Sequence, residues 1–323
     1  MIGIFKNNLF INSLLLLPYI IILRVKSLIT PVGYTVGTED TFLVKGLFDW
    51  VSSPLLQSIL AIILVYVQCI YINRLVIKHR LAPQITLVPG LIFALLVSLM
   101  PEFTTLSPHL IANSLILIVI GQVFKIYKAP KVADNIFNVG FWIGIACLFV
   151  PNYIYLIIIG LFSVFIVRSV KQKELVQLFS GLGTLFFLVF SGLYIYDIPI
   201  LNVASKMNFS PHLSIFSIRG AEIYKFAGWL LLAVFSVINY NTYSFKKSIQ
   251  AKKKIDILFW FLLGAGVLLF LVSEVVAFNA LLICIPLAIF LNVHLLNIKN
   301  PLTQELIHVV FLILLFSLNF GLI

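Results

Sequence analysis

Two adjacent carboxylates, Glu39 and Asp40, stand out in a chain of 323 residues that has only eleven Asp and Glu residues. A carboxylate that faces a cavity can act as a general base or as a metal ligand. At the start of a helix, a carboxylate or hydroxyl oxygen instead caps free backbone amides, and negative charge suits that end of the helix dipole. The spacing leaves both roles open, with Thr38 or Asp40 as the expected cap.

A second candidate group is the stretch MPEFTTLSPH, which holds Glu102 and His109 directly after a long apolar run. An ionisable side chain at the edge of an apolar layer is costly and usually lines a polar cavity. The alternative is that Glu102 is a solvated loop carboxylate.

The third candidate group lies at about residues 197–225 and contains His212, Arg219, Glu222 and Lys225. Arg219 and Lys225 are suited to binding a phosphate, since Arg offers a planar fork of donors and Lys a point charge. Arg219 also lies three residues before Glu222, a spacing that allows the two to pair on a helix. Phosphate binding and internal pairing therefore both remain open.

The composition of the chain indicates which kind of structural elements hold these candidate residues in place. Hydrophobic residues make up 62% of the chain and charged residues 10%, against about 25% charged in a soluble domain. Apolar runs of about 20 residues, enough to cross a bilayer as helices, recur along the whole chain. The runs do not alternate polar and apolar residues as barrel strands do. We therefore predict an all-α, polytopic transmembrane helical bundle that forms a single integral membrane domain.

Apolar runs between polar breaks predict about eleven transmembrane helices. The first is interpreted as a retained helix, because no small-residue cleavage site follows it. The fifth is short enough to form a re-entrant hairpin with the sixth. The predicted ranges are 7–26, 54–77, 84–104, 109–127, 134–150, 153–170, 178–196, 225–245, 256–274, 277–297 and 305–322.

The distribution of Lys and Arg predicts the orientation. Most of these residues fall in the loops on the side of the N-terminus, which is the cytoplasmic side by the positive-inside rule. The candidate residues then lie on the outer face, mainly in loops at about 27–53 and 197–224. The net charge of +11 suits contact with anionic lipid more than with nucleic acid.

The first outer loop has an amphipathic pattern that predicts an interfacial helix, with Trp50 at the level of the lipid headgroups. Its apolar positions are Phe42, Leu43, Leu47, Phe48, Trp50 and Val51.

Several kinds of site are excluded by the motifs. There is no Walker-type glycine loop and no nucleophile elbow. The three cysteines lie in apolar runs without metal-ligand spacing and are expected to be buried packing residues. The five histidines are scattered, which argues against a four-histidine iron site.

The motifs MIGIFKNN, TEDTFL, NRLVIKHRLAP, MPEFTTLSPHLIANSLI and NIFNVGFWIGIACLF resemble an uncharacterised family of polytopic inner-membrane proteins of Bacteroidota. The resemblance covers most of the first 170 residues. Members are sometimes labelled beta-carotene monooxygenase, a label that the scattered histidines do not support. The resemblance implies a multi-pass protein of the bacterial inner membrane and no defined activity.

The order of the outer loops also resembles membrane glycosyltransferases of the GT-C architecture, which use polyprenyl-phosphate sugars. Those enzymes carry acidic residues in the first outer loop and after helix three, and often hold the lipid phosphate with the loop after helix seven. Glu39 and Asp40 match the first position, Glu102 the second, and Arg219 or Lys225 the third. A divalent metal is left open, because the chain lacks the Asp-x-Asp spacing of some members.

This resemblance implies transfer of a sugar from a polyprenyl-phosphate carrier, the donor substrate, to an envelope acceptor at the outer face. Asp40 would be the general base, and Glu39 or Glu102 would orient the acceptor or support a metal. Arg219 and Lys225 would neutralise the leaving phosphate. His109 and His212, in the same outer loops, are further candidate substrate-binding residues.

The alternative is a non-catalytic subunit of an envelope secretion, motility or export complex, with a membrane protein partner and with the outer carboxylates as caps. A transporter is the third and least favoured hypothesis. Ion-coupled carriers usually place a charged residue near the middle of a membrane helix, and the middles of the predicted helices are nearly free of charge.

Overall fold

The computed structural model describes most of the chain. The described residues are 1–37, 40–127, 129, 131–168, 171–199, 203, 221–244, 247–271 and 280–321, with only the backbone described at 221–226 and 270–271.

The described residues form an all-helical structure in which no strand is present. The predicted fold class is confirmed at this level. The helices are α1 Ile2–Phe5, α2 Phe10–Leu23, α3 Val25–Ile29, α4 Phe42–Trp50, α5 Pro54–His79, α6 Val88–Leu96, α7 Pro108–Ile126, α8 Ala133–Phe149, α9 Leu156–Val167, α10 Gln172–Ile195, α11 Ala221–Ile238, α12 Tyr240–Ser244, α13 Ile249–Leu271, α14 Leu281–Asn297 and α15 Pro301–Phe320.

Four helices in the described part of the chain, α5, α7, α10 and α15, are long and apolar enough to cross a membrane. Shorter apolar helices, among them α2, α8 and α14, accompany them. Each of the eleven predicted segments contains a helix. The amphipathic stretch before α5 also forms the predicted helix, α4, which buries Val44 and Phe48 and leaves Trp50 82% exposed.

The predicted helix 84–104 is much shorter than expected. Only α6, nine residues long, is helical there, and all nine residues are buried. A helix of nine residues spans about 14 Å, less than half of the hydrocarbon layer. The chain leaves the helix at Val97, whose carbonyl accepts a hydrogen bond from the buried Arg24. Tertiary hydrogen bonding therefore ends this helix inside an apolar run.

The first turn of helix α6 is in close contact with α5. The backbone amide of Gly90 donates a hydrogen bond of 2.7 Å to Oδ1 of Asn73. A Cβ atom on Gly90 would lie 2.9 Å from the carbonyl oxygen of Cys69. Only glycine allows this approach, which explains why α6 begins where it does and lies in the centre of the bundle.

Helices α8 and α10 cross at glycines. A Cβ atom on Gly140 would lie 2.0 Å from the carbonyl oxygen of Leu178, and one on Gly181 would lie 2.1 Å from that of Phe137. Gly144, one turn after Gly140, meets the side chain of Leu185. Small residues four apart are typical of closely packed helices in membranes.

Long-range hydrogen bonds pair the helix ends into two groups. At one end, Asn319 donates to the carbonyl oxygen of Ser98, and the hydroxyl of Thr41 donates to the carbonyl oxygen of Leu148 at 2.6 Å. At the other end, Lys254 lies 2.7 Å from Nδ1 of His79. The first group, here called the acidic end, carries Asp40 and Glu102. The second, called the basic end, contains the C-terminal end of α5 and the N-terminal end of α13.

Candidate functional site

Asp40 is held by hydrogen bonds within its own loop. The Tyr34 hydroxyl donates to its carboxylate at 3.0 and 3.3 Å, and the Gly37 backbone amide donates at 2.7 Å. Burial and then the charge of Asp40 raise the pKa of the Tyr34 hydroxyl, so it stays a donor. Gln57 of α5 anchors the loop by accepting from the backbone amide of Tyr34 at 2.7 Å. Both oxygens of Asp40 therefore already have donors.

The cap of α4 is not the one predicted. Thr41, and not Asp40, is the N-cap residue, and its hydroxyl accepts from the backbone amide of Val44 at 3.4 Å. The same hydroxyl donates to Leu148 at the end of α8. A hydroxyl both donates and accepts, so it joins the two helices as well as capping one, which a carboxylate does not do. The other predicted cap, Thr38, lies outside the described residues.

Arg24 is the charged residue that organises the acidic end. Its side chain is 1% exposed and sits where α2 ends. The guanidinium donates to the Ser98 hydroxyl at 3.1 Å and to the carbonyl oxygens of Val97, Phe103 and Thr104 at 2.9, 3.0 and 3.3 Å. In the described part of the chain, no carboxylate forms an ion pair with it. The charge is instead stabilised by carbonyl dipoles of residues 97–104, here called the Arg24 turn.

The last helix supports the Arg24 turn from another side. The amide of Asn319, in α15, donates at 3.0 Å to the carbonyl oxygen of Ser98. The carbonyl oxygen of Asn319 in turn accepts from the ammonium group of Lys26. Asn319 is 4% exposed, so these bonds lie inside the protein. Buried polar networks of this kind fix the backbone when every member has a partner.

Glu102 lies on the Arg24 turn, in the 3-10 helix Pro101–Thr104, and is half-buried. Its neighbours Met100 and Phe103 contact Trp229 of α11. The indole nitrogen of Trp229 lies 3.4 Å from the sulfur of Met100, and its ring centroid lies 5.9 Å from that of Phe103. Lys225 lies in α11 one turn before Trp229. The fold thus brings the element of Glu102 next to the helix of Lys225.

His109 lies in the first turn of α7, two residues after the N-cap residue Ser107. Its ring meets the ring of Tyr153 edge-on, with centroids 6.1 Å apart. Tyr153 is completely buried, and among the described residues its hydroxyl has no hydrogen-bond partner. A buried hydroxyl without a partner is a place where a polar ligand gains binding energy.

Three predicted site residues, Glu39, His212 and Arg219, lie outside the described residues. Their predicted roles stay predictions. Of the others, Glu102, His109 and Lys225 lie on the Arg24 turn or on helices that flank it. Asp40 is joined to the same end of the bundle through Thr41 and α8.

Sequence reasoning missed Arg24 and Asn319. Arg24 was interpreted only as one of the few basic residues on the outer side. The available signal was its place directly after an apolar run of α2, where an unpaired charge would be costly and must find buried partners. Asn319 gave no comparable signal, because its partner Ser98 lies 221 residues away.

Within the described part of the chain, no group of three or more His, Cys, Asp or Glu side chains is arranged to hold a metal ion. At the acidic end, the half-buried Glu102 lies on the Arg24 turn, and α11, whose backbone includes Lys225, packs against this turn through Trp229.

The long apolar helices indicate an α-helical membrane protein, in which buried polar groups cluster around Arg24 at one end. The chain belongs to a family of unknown function, DUF6427, whose family model matches residues 42–321. The match covers residues 97–104 of the Arg24 turn and the helices α7, α11 and α15, whereas Arg24 and Asp40 lie before it. No curated protein and no solved structure matches the chain.

Proposed function

We propose that the protein is a multi-pass enzyme of the bacterial inner membrane that transfers a sugar from a polyprenyl-phosphate carrier to an envelope acceptor. The N-terminus is cytoplasmic, about eleven segments cross or enter the bilayer, and the acidic end faces outwards. The pairing of helix ends supports this arrangement, because each of those contacts joins ends that the charge distribution assigns to the same side.

One observation carries the enzymatic proposal. Arg24 fixes the backbone on both sides of Glu102, and Trp229 packs α11 against the same turn. The backbone that carries Glu102 is therefore preorganised, and the neighbouring helix α11 includes Lys225 one turn before Trp229. Preorganised charges are the largest source of transition-state stabilisation in most enzymes.

Each residue has a defined role in the transfer. The oxygen of the acceptor hydroxyl attacks the anomeric carbon, and the bond from that carbon to the phosphate oxygen breaks. Glu102 accepts the proton of the hydroxyl. Polyprenyl phosphate leaves with the bonding electrons, and Lys225, with Arg219, neutralises its charge. Asp40 supports the loop through hydrogen bonds from Tyr34 and Gly37.

The test compares Glu102→Gln with Asp49→Asn. Asp49 is an exposed carboxylate of α4 at the same end, so each variant removes one acidic group there. The probe is a polyprenyl-phosphate hexose, and the readout is release of polyprenyl phosphate by protein purified in detergent. We expect a loss of at least about a hundredfold for Glu102→Gln, the range of general-base catalysis, and little change for Asp49→Asn.

Activity of Glu102→Gln equal to that of the unchanged protein would contradict the role of Glu102. Loss of activity in Asp40→Asn together with full activity in Glu102→Gln would assign the base to Asp40 instead. Both variants must remain folded and inserted for either conclusion.

A non-catalytic subunit of an envelope secretion, motility or export complex is the second candidate. The observation in its favour is that Asp40 and Arg24 are both used in internal hydrogen bonds. Mass spectrometry of the purified protein separates the two functions. A stoichiometric protein partner without bound polyprenyl lipid would establish the subunit and contradict the enzyme.

A further inference from the structure

An open groove lies between α2 and α5 at the basic end, on the opposite side of the bundle from the Arg24 turn. Its volume is about 550 Å³, and none of the described residues that line it is acidic. The polar lining residues are Asn8, Ser13, Asn73, Arg74 and Lys78. The groove therefore presents cations and hydrogen-bond donors without a carboxylate to neutralise them.

Two cations of the groove are placed to act together. Arg74 and Lys78 are four residues apart in α5, a spacing that puts both on one face of the helix. Both side chains are exposed. A guanidinium and an ammonium group on one helix face suit the several oxygens of a phosphate.

Asn73 adds a donor from inside the protein. The residue is 3% exposed, and its Oδ1 is taken by the backbone amide of Gly90 at 2.7 Å. Its Nδ2 is buried and, among the described residues, has no hydrogen-bond partner. A buried amide donor without a partner is destabilising, and an acceptor oxygen in the groove would satisfy it.

Exposed apolar side chains border the same groove. Phe10 is 80% exposed, Leu9 58% and Ile70 37%, and all three line it. A free phosphate ion would gain nothing from these side chains. An amphiphile would cover them with its hydrocarbon while its phosphate met the cations.

We infer that this groove is a binding site for an anionic phospholipid, with the headgroup phosphate on Arg74, Lys78 and the amide of Asn73 and the acyl chains along Phe10 and Ile70. Basic pockets between membrane helices are the usual sites of such headgroups. The inference does not depend on the proposed enzymatic function, because the two sites share no residue.

The experiment is native mass spectrometry of the full-length protein in detergent, titrated with phosphatidylglycerol or phosphatidylcholine. The variant is Arg74→Gln with Lys78→Gln. The control is Lys125→Gln with Lys131→Gln, which removes the same charge at the same end, outside the groove. All four positions are exposed, so the variants are expected to fold.

We expect phosphatidylglycerol to bind the unchanged protein in preference to phosphatidylcholine. The groove variant should bind phosphatidylglycerol about tenfold more weakly or worse, because each interfacial cation contributes about 1 kcal/mol. The control should bind as the unchanged protein does. Excess inorganic phosphate should leave the lipid in place.

Three results would overturn the inference. The first is equal phosphatidylglycerol binding by the groove variant and the control, and the second is equal binding of the two lipids. The third is displacement of the lipid by inorganic phosphate, which would identify a phosphate site and not a lipid site.

Discussion

Arg24 shows how a single buried charge shapes this protein. A guanidinium in an apolar interior carries a large desolvation cost unless each of its donors finds an acceptor. Three carbonyl oxygens and a hydroxyl of the Arg24 turn supply those acceptors. The same bonds end α6 early and set the position of Glu102. The distribution of Lys and Arg assigns Arg24 to the outer side of the protein, and the structure shows that its side chain is buried and holds the Arg24 turn.

Replacing Arg24 by Gln should unfold the acidic end at lower temperature. Gln has fewer donors and a shorter reach, so carbonyl oxygens of the Arg24 turn lose their partners, at a cost of about 3 kcal/mol. Thermal unfolding is measured with a thiol-reactive dye, because Cys69, Cys147 and Cys284 are buried in the folded protein. The matched control is Arg80→Gln, at an exposed position after α5.

A melting temperature of Arg24→Gln within error of that of Arg80→Gln would show that the hydrogen bonds of Arg24 do not hold the turn. In that case the placement of Glu102 would need another cause.

At the level of helices, the α8–α10 crossing depends on the absence of side chains. Gly140 and Gly181 allow the backbones of the two helices to contact each other directly. Inside a bilayer the lipid is as apolar as the side chains, so helices associate through close packing and not through the hydrophobic effect. The cap of α4 is a second case, since Thr41 joins α4 to α8 through one hydroxyl. The elements at the acidic end are therefore positioned by a few specific contacts and not by general hydrophobicity.

Gly181→Ala tests the crossing. The added methyl carbon would lie 2.1 Å from the carbonyl oxygen of Phe137, so the helices must separate, at a cost of about 1–3 kcal/mol. Gly183→Ala, in the same helix, meets nothing within 4 Å and is the control. It should leave stability unchanged or raise it by up to about 1 kcal/mol, because Ala favours helix. The dye assay measures both, and equal stability of the two variants would contradict the role of the crossing.

The whole molecule has two unlike ends. The acidic end contains the Arg24 turn and the loop of Asp40, whereas the basic end carries the groove between α2 and α5. The substrate site proposed at one end and the lipid site inferred at the other would both depend on the separation of charge along the bundle. Anionic lipid at the basic end would also hold the protein in one orientation.

Cysteine labelling tests this orientation. Ser52→Cys places a thiol at the acidic end, before α5, and Lys131→Cys places one at the basic end, before α8; both positions are exposed. A membrane-impermeant maleimide should label the first in intact spheroplasts and the second only after lysis. The native cysteines are buried, so the background is low. Labelling of Lys131→Cys in intact spheroplasts would reverse the predicted orientation.

The sequence by itself determined the class of the fold and the positions of its helices. Apolar runs separated by polar breaks depend on local composition, so each predicted segment contains a helix, and the amphipathic stretch before α5 forms the helix α4. The predicted length of α6 and the predicted cap of α4 were wrong, because contacts with residues distant in the sequence determine both. The choice of Glu102 and its neighbours as candidates also came from the sequence.

Only the tertiary structure decided which polar groups meet. Arg24 binds carbonyl oxygens 73 to 80 residues later, and Asn319 reaches Ser98 from the far end of the chain. Such pairings depend on how the helices pack, because backbone carbonyls carry no signature in the sequence. The same reason places the two carboxylates at the acidic end differently: Asp40 accepts hydrogen bonds from Tyr34 and Gly37 within its own loop, whereas Glu102 lies on the Arg24 turn beside α11.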